Sequence, residues 1–85
     1  MRTTIIKQMI EDKYNWVTGG YENAVCDGHM DESDFPSRQE LEQEVYDEIM
    51  SEKYYRGFDV RDIRFEGSIN IKEMITQEFN KQGEY

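Results

Sequence analysis

Apolar residues recur along this chain at the three- and four-residue spacing of an α-helix in three separate stretches. In the first, Ile6, Ile10, Tyr14 and Val17 form one stripe flanked by Ile5 and Met9, which predicts a helix over residues 4–17. Gly19 and Gly20 follow and are expected to end it, because glycine is a weak helix former and readily takes the left-handed conformation of a C-terminal cap. Tyr21, Ala24 and Val25 then predict a short inward-facing helix over residues 21–27, and the polar residues 28–37 read as a loop.

The clearest start signal is Ser37-Arg38-Gln39-Glu40, a capping box preceded by Pro36. The helix behind it is expected to run to about Tyr55 and to stop at Gly57. Its buried stripe is Leu41, Val45 and Ile49, with Tyr46, Met50 and Tyr54 alongside. In residues 58–65, Ile63 and Phe65 alternate with Asp62, Arg64 and Glu66, the pattern of a short extended segment without an evident partner strand. Asn70 caps a last helix, with Glu73 three residues on and Ile71, Met74, Ile75 and Phe79 as its apolar stripe. The expected fold is all-α, a small three- to four-helix bundle with one short extended connector. It forms a single domain over residues 1–85, without a linker or an internal repeat.

Composition sets the stability problem. Hydrophobic residues are 36% of the chain and charged residues 34%, a balance close to that of disordered segments. Six Tyr, four Phe and one Trp oppose this, since each aromatic can bury a large area. Cys26 is the single cysteine, so no internal disulfide forms. The N-terminus lacks the apolar run of a signal peptide, and no stretch is long enough to cross a bilayer. A cytoplasmic location without membrane association is expected.

The charge is local. Residues 22–52 hold eleven acids (Glu22, Asp27, Asp31, Glu32, Asp34, Glu40, Glu42, Glu44, Asp47, Glu48 and Glu52) against Arg38 alone, a net of −10 within a total of −9. Residues 1–21 carry +1, and residues 53–85 balance six acids with six bases. Glu40, Glu44, Glu48 and Glu52 recur every four residues, which on a helix spaces them about 6 Å apart along the axis. That is close to the separation of phosphates along a nucleic-acid strand, roughly 6–7 Å. Each adjacent pair is a like-charge contact worth roughly 0.2–0.5 kcal/mol of destabilisation. A row of this kind also occurs as a solvated face serving solubility. The absence of lysine from the same helix face favours a binding surface for a Lys- and Arg-rich partner.

Catalytic and metal chemistry find little support. Cys26, Asp27, His29 and Asp31 cluster in sequence, but a structural zinc site wants four ligands and the chain has no other Cys or His. A calcium loop begun at Asp27 places Glu32 and Arg38 where glycine and glutamate belong. There is no nucleophile elbow or phosphate-binding glycine loop. No enzyme activity, cofactor or metal is expected, and the charge of the middle segment excludes direct nucleic-acid binding there. Cys26 reads as a small buried residue, Trp16 as closing the core against Gly19-Gly20, and Phe58 and Phe65 as core in preference to a contact patch. Of Tyr54 and Tyr55, one is expected to pack and the other to stay exposed.

Trp16-Val17-Thr18-Gly19-Gly20-Tyr21-Glu22-Asn23 and Asp62-Ile63-Arg64-Phe65-Glu66-Gly67 resemble segments of small acidic accessory proteins from phages, plasmids and integrative elements of Gram-positive bacteria. Some proteins of that kind are anti-CRISPR or antirestriction factors, which imitate nucleic acid with carboxylates. The likeness covers fourteen of the 85 residues and no catalytic motif. It implies stoichiometric inhibition of a nucleic-acid-binding effector, such as a CRISPR effector nuclease or a restriction enzyme. Glu40, Glu42, Glu44, Asp47, Glu48 and Glu52, with Asp31, Glu32 and Asp34, would engage its arginines. The competing expectation is an acidic helical adaptor or a self-associating module such as a homodimer, whose apolar stripes extend onto an exposed patch.

Overall fold

The computed structural model describes residues 2–62 and 70–85. It is mostly helical. α1 spans Arg2–Cys26, α2 spans Arg38–Ser51 and α3 spans Ile71–Gln82, and each of the three packs on the other two. A single 3-10 turn, Glu32–Asp34, lies between α1 and α2. Between α2 and α3 sits a two-stranded antiparallel hairpin, β1 (Tyr54–Tyr55) and β2 (Phe58–Asp59). At 1.5 Å rise per residue the 25 residues of α1 reach about 37 Å, so this helix sets the 40 Å long dimension of the molecule.

The core follows the three stripes read from the sequence. Ile6, Met9, Ile10, Tyr14 and Val17 of α1 meet Leu41, Val45 and Ile49 of α2 and Ile71, Ile75 and Phe79 of α3. Phe79 sets its ring edge-on to Tyr14, with centroids 4.7 Å apart. Tyr85 closes this end, stacked on Phe35 at 5.7 Å, so the C-terminal residue holds down the loop before α2.

Two boundaries differ from expectation. First, α1 runs straight through Gly19-Gly20, so the short fourth helix of the sequence reading is the last part of α1. The stop is Gly28, at φ +78°: its N–H donates to Val25 O at 3.2 Å and the His29 N–H to Ala24 O at 2.9 Å. These are the paired bonds of a Schellman cap. Helix is retained across the glycines because the residues on either side of them are anchored. Thr18 is buried and donates to Tyr14 O, and Tyr21 packs edge-on to Phe35.

Second, α2 ends at Ser51 rather than near Tyr55, and the connector does have a pairing partner. Glu52 is already extended (φ −75°, ψ 134°). Tyr54 pairs with Asp59 and Tyr55 with Phe58, around Arg56 (φ 50°) and Gly57 (φ 85°). Two successive left-handed residues make the tight hairpin turn whose twist suits antiparallel strands. Gly57 is thus a hairpin residue, not a helix stop. The hairpin is favoured over further helix because it carries Val60 into the core, fully buried, with the Val60 N–H donating to Lys53 O at 3.0 Å. The sequence reading of Ile63 and Phe65 lies outside the described residues.

Nothing crowds the two mid-helix glycines: a Cβ built on either would meet no atom within 4 Å. Gly19→Ala and Gly20→Ala should therefore each raise stability by about 0.5–1 kcal/mol, the helix-propensity difference. Urea midpoints shifted upward with an unchanged slope would show it.

Candidate functional site

The predicted site residues lie on α2, just before it and, for Glu52, at its C-terminal cap, and the helix turns them in different directions. Burying Leu41, Val45 and Ile49 carries the residues immediately before and after them against the neighbouring helices. Glu40 closes the capping box, with both the Ser37 N–H and Ser37 Oγ donating to its Oε1, at 3.5 and 3.1 Å. Glu44 Oε1 accepts from the Tyr21 hydroxyl at 2.7 Å, and its Oε2 is buried without a hydrogen-bond partner. Glu48 and Glu52 face Lys13 Nζ of α1, at 3.9 and 2.8 Å.

The four-residue row is therefore not a ladder of free, mutually repelling carboxylates. A countercharge from α1 relieves the end that lies nearest Lys13, while Glu40 serves the local capping box and Glu44 accepts a hydrogen bond from Tyr21 of α1. The repulsion expected from sequence ignored cations on other helices, and Lys13 is one.

On the other side of α2, Glu42 Oε2 accepts from Arg38 Nε at 3.0 Å and its Oε1 accepts from Thr76 Oγ1 at 2.6 Å. Arg38 also reaches Thr76 O, Asn80 Oδ1 and Tyr85 O at 3.2, 2.5 and 3.4 Å, with its guanidinium 5.8 Å from the Phe79 ring centre. The one base of the acidic segment thus ties α2 to α3 and to the C-terminus. Lys72 likewise covers Tyr46, 5.0 Å from its centroid.

Asp47 is exposed on α2, accepting from Gln43 Nε2 at 2.9 Å. Asp31, Glu32 and Asp34 are exposed on the loop and 3-10 turn. The open acidic face thus consists of Asp31, Glu32, Asp34, Glu40 and Asp47, with Glu48 partly accessible at 43%.

Three sequence readings are corrected here. Trp16 is 71% exposed instead of closing the core, Phe58 is 50% exposed, and Cys26 is exposed. Tyr54 and Tyr55 divide as expected: Tyr54 is exposed, while Tyr55 is half-buried with its hydroxyl donating to Asp12. Periodicity did not mark Trp16 as exposed: at 100° per residue it lies about 20° from Met9, seven residues earlier, which is buried.

Trp16 borders a feature that sequence reading missed. An open groove of about 780 Å³ runs between α1 and α2, lined by Trp16, Gly19, Gly20 and Tyr21 on one side and by Glu44, Asp47 and Glu48 on the other, with Met30 also in its lining. The missing side chains of the glycine pair leave it open. Comparison with protein-family models, curated proteins and solved structures gave no match.

Four tyrosine hydroxyls titrate above the usual value of 10.0. Burial, then the charges of Glu84 and Glu22, raises Tyr14; the bond to Glu44 raises Tyr21. Burial and the bond to Asp12 push Tyr55 up to about 12, and burial with the bond to Glu22 raises Tyr85. A raised folded-state value favours the neutral form on folding, so this stability is fully present below pH 10 and disappears as pH climbs through about 12 for Tyr55. Thermal melts between pH 8 and 12 should fall only at the alkaline end, in step with tyrosinate absorbance; melting that is unchanged to pH 12 would contradict the bonds to Asp12, Glu22 and Glu44. Arg38→Gln should cost about 1–3 kcal/mol, since charge-assisted hydrogen bonds are lost while Glu42 stays half-buried. Chemical denaturation at neutral pH measures it.

Proposed function

We propose that this chain is a non-enzymatic acidic protein that docks residues 22–52 on a basic, nucleic-acid-binding surface of another protein and blocks it stoichiometrically. The class of target suggested by the sequence resemblance is a CRISPR effector nuclease or a restriction enzyme, with inhibition by mimicry of DNA in the cytoplasm of the host. The architecture is read as a three-helix bundle with a small hairpin. It serves here as a rigid support for the acidic face.

The observation that carries this reading is the fate of the segment's counterions. Arg38 is folded into contacts with Glu42, Thr76, Asn80 and Tyr85, and Lys13 is held by Glu48 and Glu52. Among the described residues, neither Asp31, Glu32 and Asp34 nor Asp47 has an ion-pair partner. Carboxylates left in this way attract a cationic surface over distances of about 8–10 Å at ordinary ionic strength and accelerate encounter with it. Their arrangement is less regular than the four-residue row alone implies, because parts of that row are engaged within the fold.

A second reading, an acidic adaptor or self-associating module, is favoured by the exposed Trp16, Tyr54 and Phe58, at 71%, 58% and 50%. Light scattering on a size-exclusion column separates a monomer from a homodimer.

The inhibitory reading is tested by adding the protein to cleavage assays of CRISPR nucleases and type I and type II restriction enzymes. Complete inhibition near a one-to-one ratio is expected for at least one of them, weakening as salt rises. Replacing Asp31, Glu32, Asp34 and Asp47 together by Asn, Gln, Asn and Asn should reduce it at least tenfold, roughly the effect of losing a few charge pairs at about 0.5 kcal/mol each. Cleavage unaffected across the panel at a large excess of protein would overturn the proposal.

A further inference from the structure

Three aromatic rings of this molecule, the exposed Tyr54, the half-buried Tyr55 and the buried Phe79, share a pattern. Arg61 stands 5.4 Å over Tyr54 while pairing with Asp59 at 2.6 Å. Arg56 stands 5.3 Å over Tyr55 while pairing with Asp12 at 3.4 Å. Arg38 lies over Phe79 and pairs with Glu42. In each case a guanidinium covers a ring and is fixed by a carboxylate beside it. The planar, weakly hydrated cation suits both contacts at once.

Trp16 has the ring and the acids without the cation. It is the largest exposed aromatic, it lines the groove with Glu44, Asp47 and Glu48, and among the described residues no arginine or lysine stands over it. Lys13, one turn away, is directed to Glu52 and Glu48. Oε2 of Glu44, in the same lining, is buried and accepts no hydrogen bond. The groove lining contains three carboxylates and no cationic side chain.

Gly19 and Gly20 add a separate indication. They weaken α1 in its C-terminal third, and the space above them is open, so packing within the chain does not require them. Bare helix backbone at the edge of an acid-lined groove permits close approach by another chain.

We propose that this groove receives an arginine side chain from an extended, arginine-bearing segment of the partner protein, stacked on Trp16 and paired with Asp47 and Glu48. The proposal rests on the reading that the acidic face docks on a basic protein surface, and it names where the central contact falls. A second copy of this chain suits the groove poorly, because the net charge of −10 over residues 22–52 would meet itself. A lysine-rich segment offers charge without a planar group to stack.

Trp16 is the single tryptophan, so its fluorescence reports the groove directly. The full chain is titrated with an acetylated, amidated peptide of four Arg-Gly repeats, and with its Lys-Gly counterpart. The expected result is a saturable change in emission with the arginine peptide, at an affinity at least about fivefold above that of the lysine peptide, given the stronger stacking of guanidinium. Gly20→Gln places a side chain in the groove while improving helix propensity, and Asp47→Asn removes one carboxylate; each should weaken arginine-peptide binding about tenfold, as expected for losing a central charged contact. An unchanged or higher melting temperature for Gly20→Gln shows that the loss is not unfolding.

Equal affinity for the two peptides, or arginine-peptide binding untouched by Gly20→Gln, overturns the proposal. Nuclease inhibition that survives Gly20→Gln in full also overturns it, while leaving the docking of the acidic face intact. Discriminating peptide binding by a protein that inhibits no nuclease supports the groove and removes the inhibitory reading.

Discussion

Burying Leu41, Val45 and Ile49 drags the carboxylates on either side of them against α1 and α3, and the rest of the structure is arranged around that constraint. Ionised acids lose favourable hydration as they leave water, and they need partners there. Lys13 meets Glu48 and Glu52 on the α1 side, and the Tyr21 hydroxyl meets Glu44. Arg38 and Thr76 meet Glu42 on the α3 side. The two cations therefore sit at the two seams that α2 makes, one with α1 and one with α3. Because half-exposed ion pairs are individually weak, the bonds give direction more than energy, and they define how α2 is rotated about its axis. The apolar stripe supplies most of the stabilisation.

The same need for partners explains the use of tyrosine. In a chain with few apolar residues, tyrosine buries a ring and offers a hydroxyl that can cap a carboxylate without adding a charge. Tyr21 does this for Glu44, Tyr55 for Asp12 and Tyr85 for Glu22. Each bond joins elements distant in sequence, α1 to α2, the hairpin to α1, and the C-terminus to α1. The Tyr14 hydroxyl is the exception: buried without a hydrogen-bond partner, it is retained at a cost in polar desolvation while its ring packs on Phe79.

The apolar stripes were legible because helical period is a local property: Ile6, Ile10, Tyr14 and Val17; Leu41, Val45 and Ile49; and Ile71, Ile75 and Phe79 are buried, and Met74 of the third stripe is partly buried. The capping box at Ser37 was legible for the same reason, as its partners lie three residues apart. The boundaries at Gly19-Gly20 and Tyr55 were not, because both are decided by distant contacts. Helix persists through the glycines through Thr18 and the packing of Tyr21 against Phe35, and it yields to the hairpin after Ser51 through the burial of Val60. The acidic segment could be located by counting, but its directions could not. Lys13 lies more than thirty residues from Glu48, and no rule of spacing joins them. Trp16 was misplaced because it shares a helix direction, to within about 20°, with Met9 seven residues earlier, which is buried while Trp16 is not.

That reorientation alters what a nucleic-acid mimic on this scaffold can be. A straight row of four glutamates would present charges at near-phosphate intervals, but Glu44 is turned to Tyr21 and Glu52 to Lys13. What remains open is a discontinuous set: Asp31, Glu32 and Asp34 on the loop, Glu40 at the start of α2, and Asp47 with Glu48 beside the groove. Such a set can supply long-range attraction, which depends on total charge and less on register. It cannot by itself select one partner, because scattered exposed carboxylates make weak, salt-screened contacts. Selectivity needs a directional element, and on this surface the indole of Trp16 beside bare helix backbone is the one that charge does not duplicate. On the proposed reading, attraction belongs to the acids of residues 22–52 as a whole, and selection to Trp16 of α1 acting with Asp47 and Glu48 across the groove.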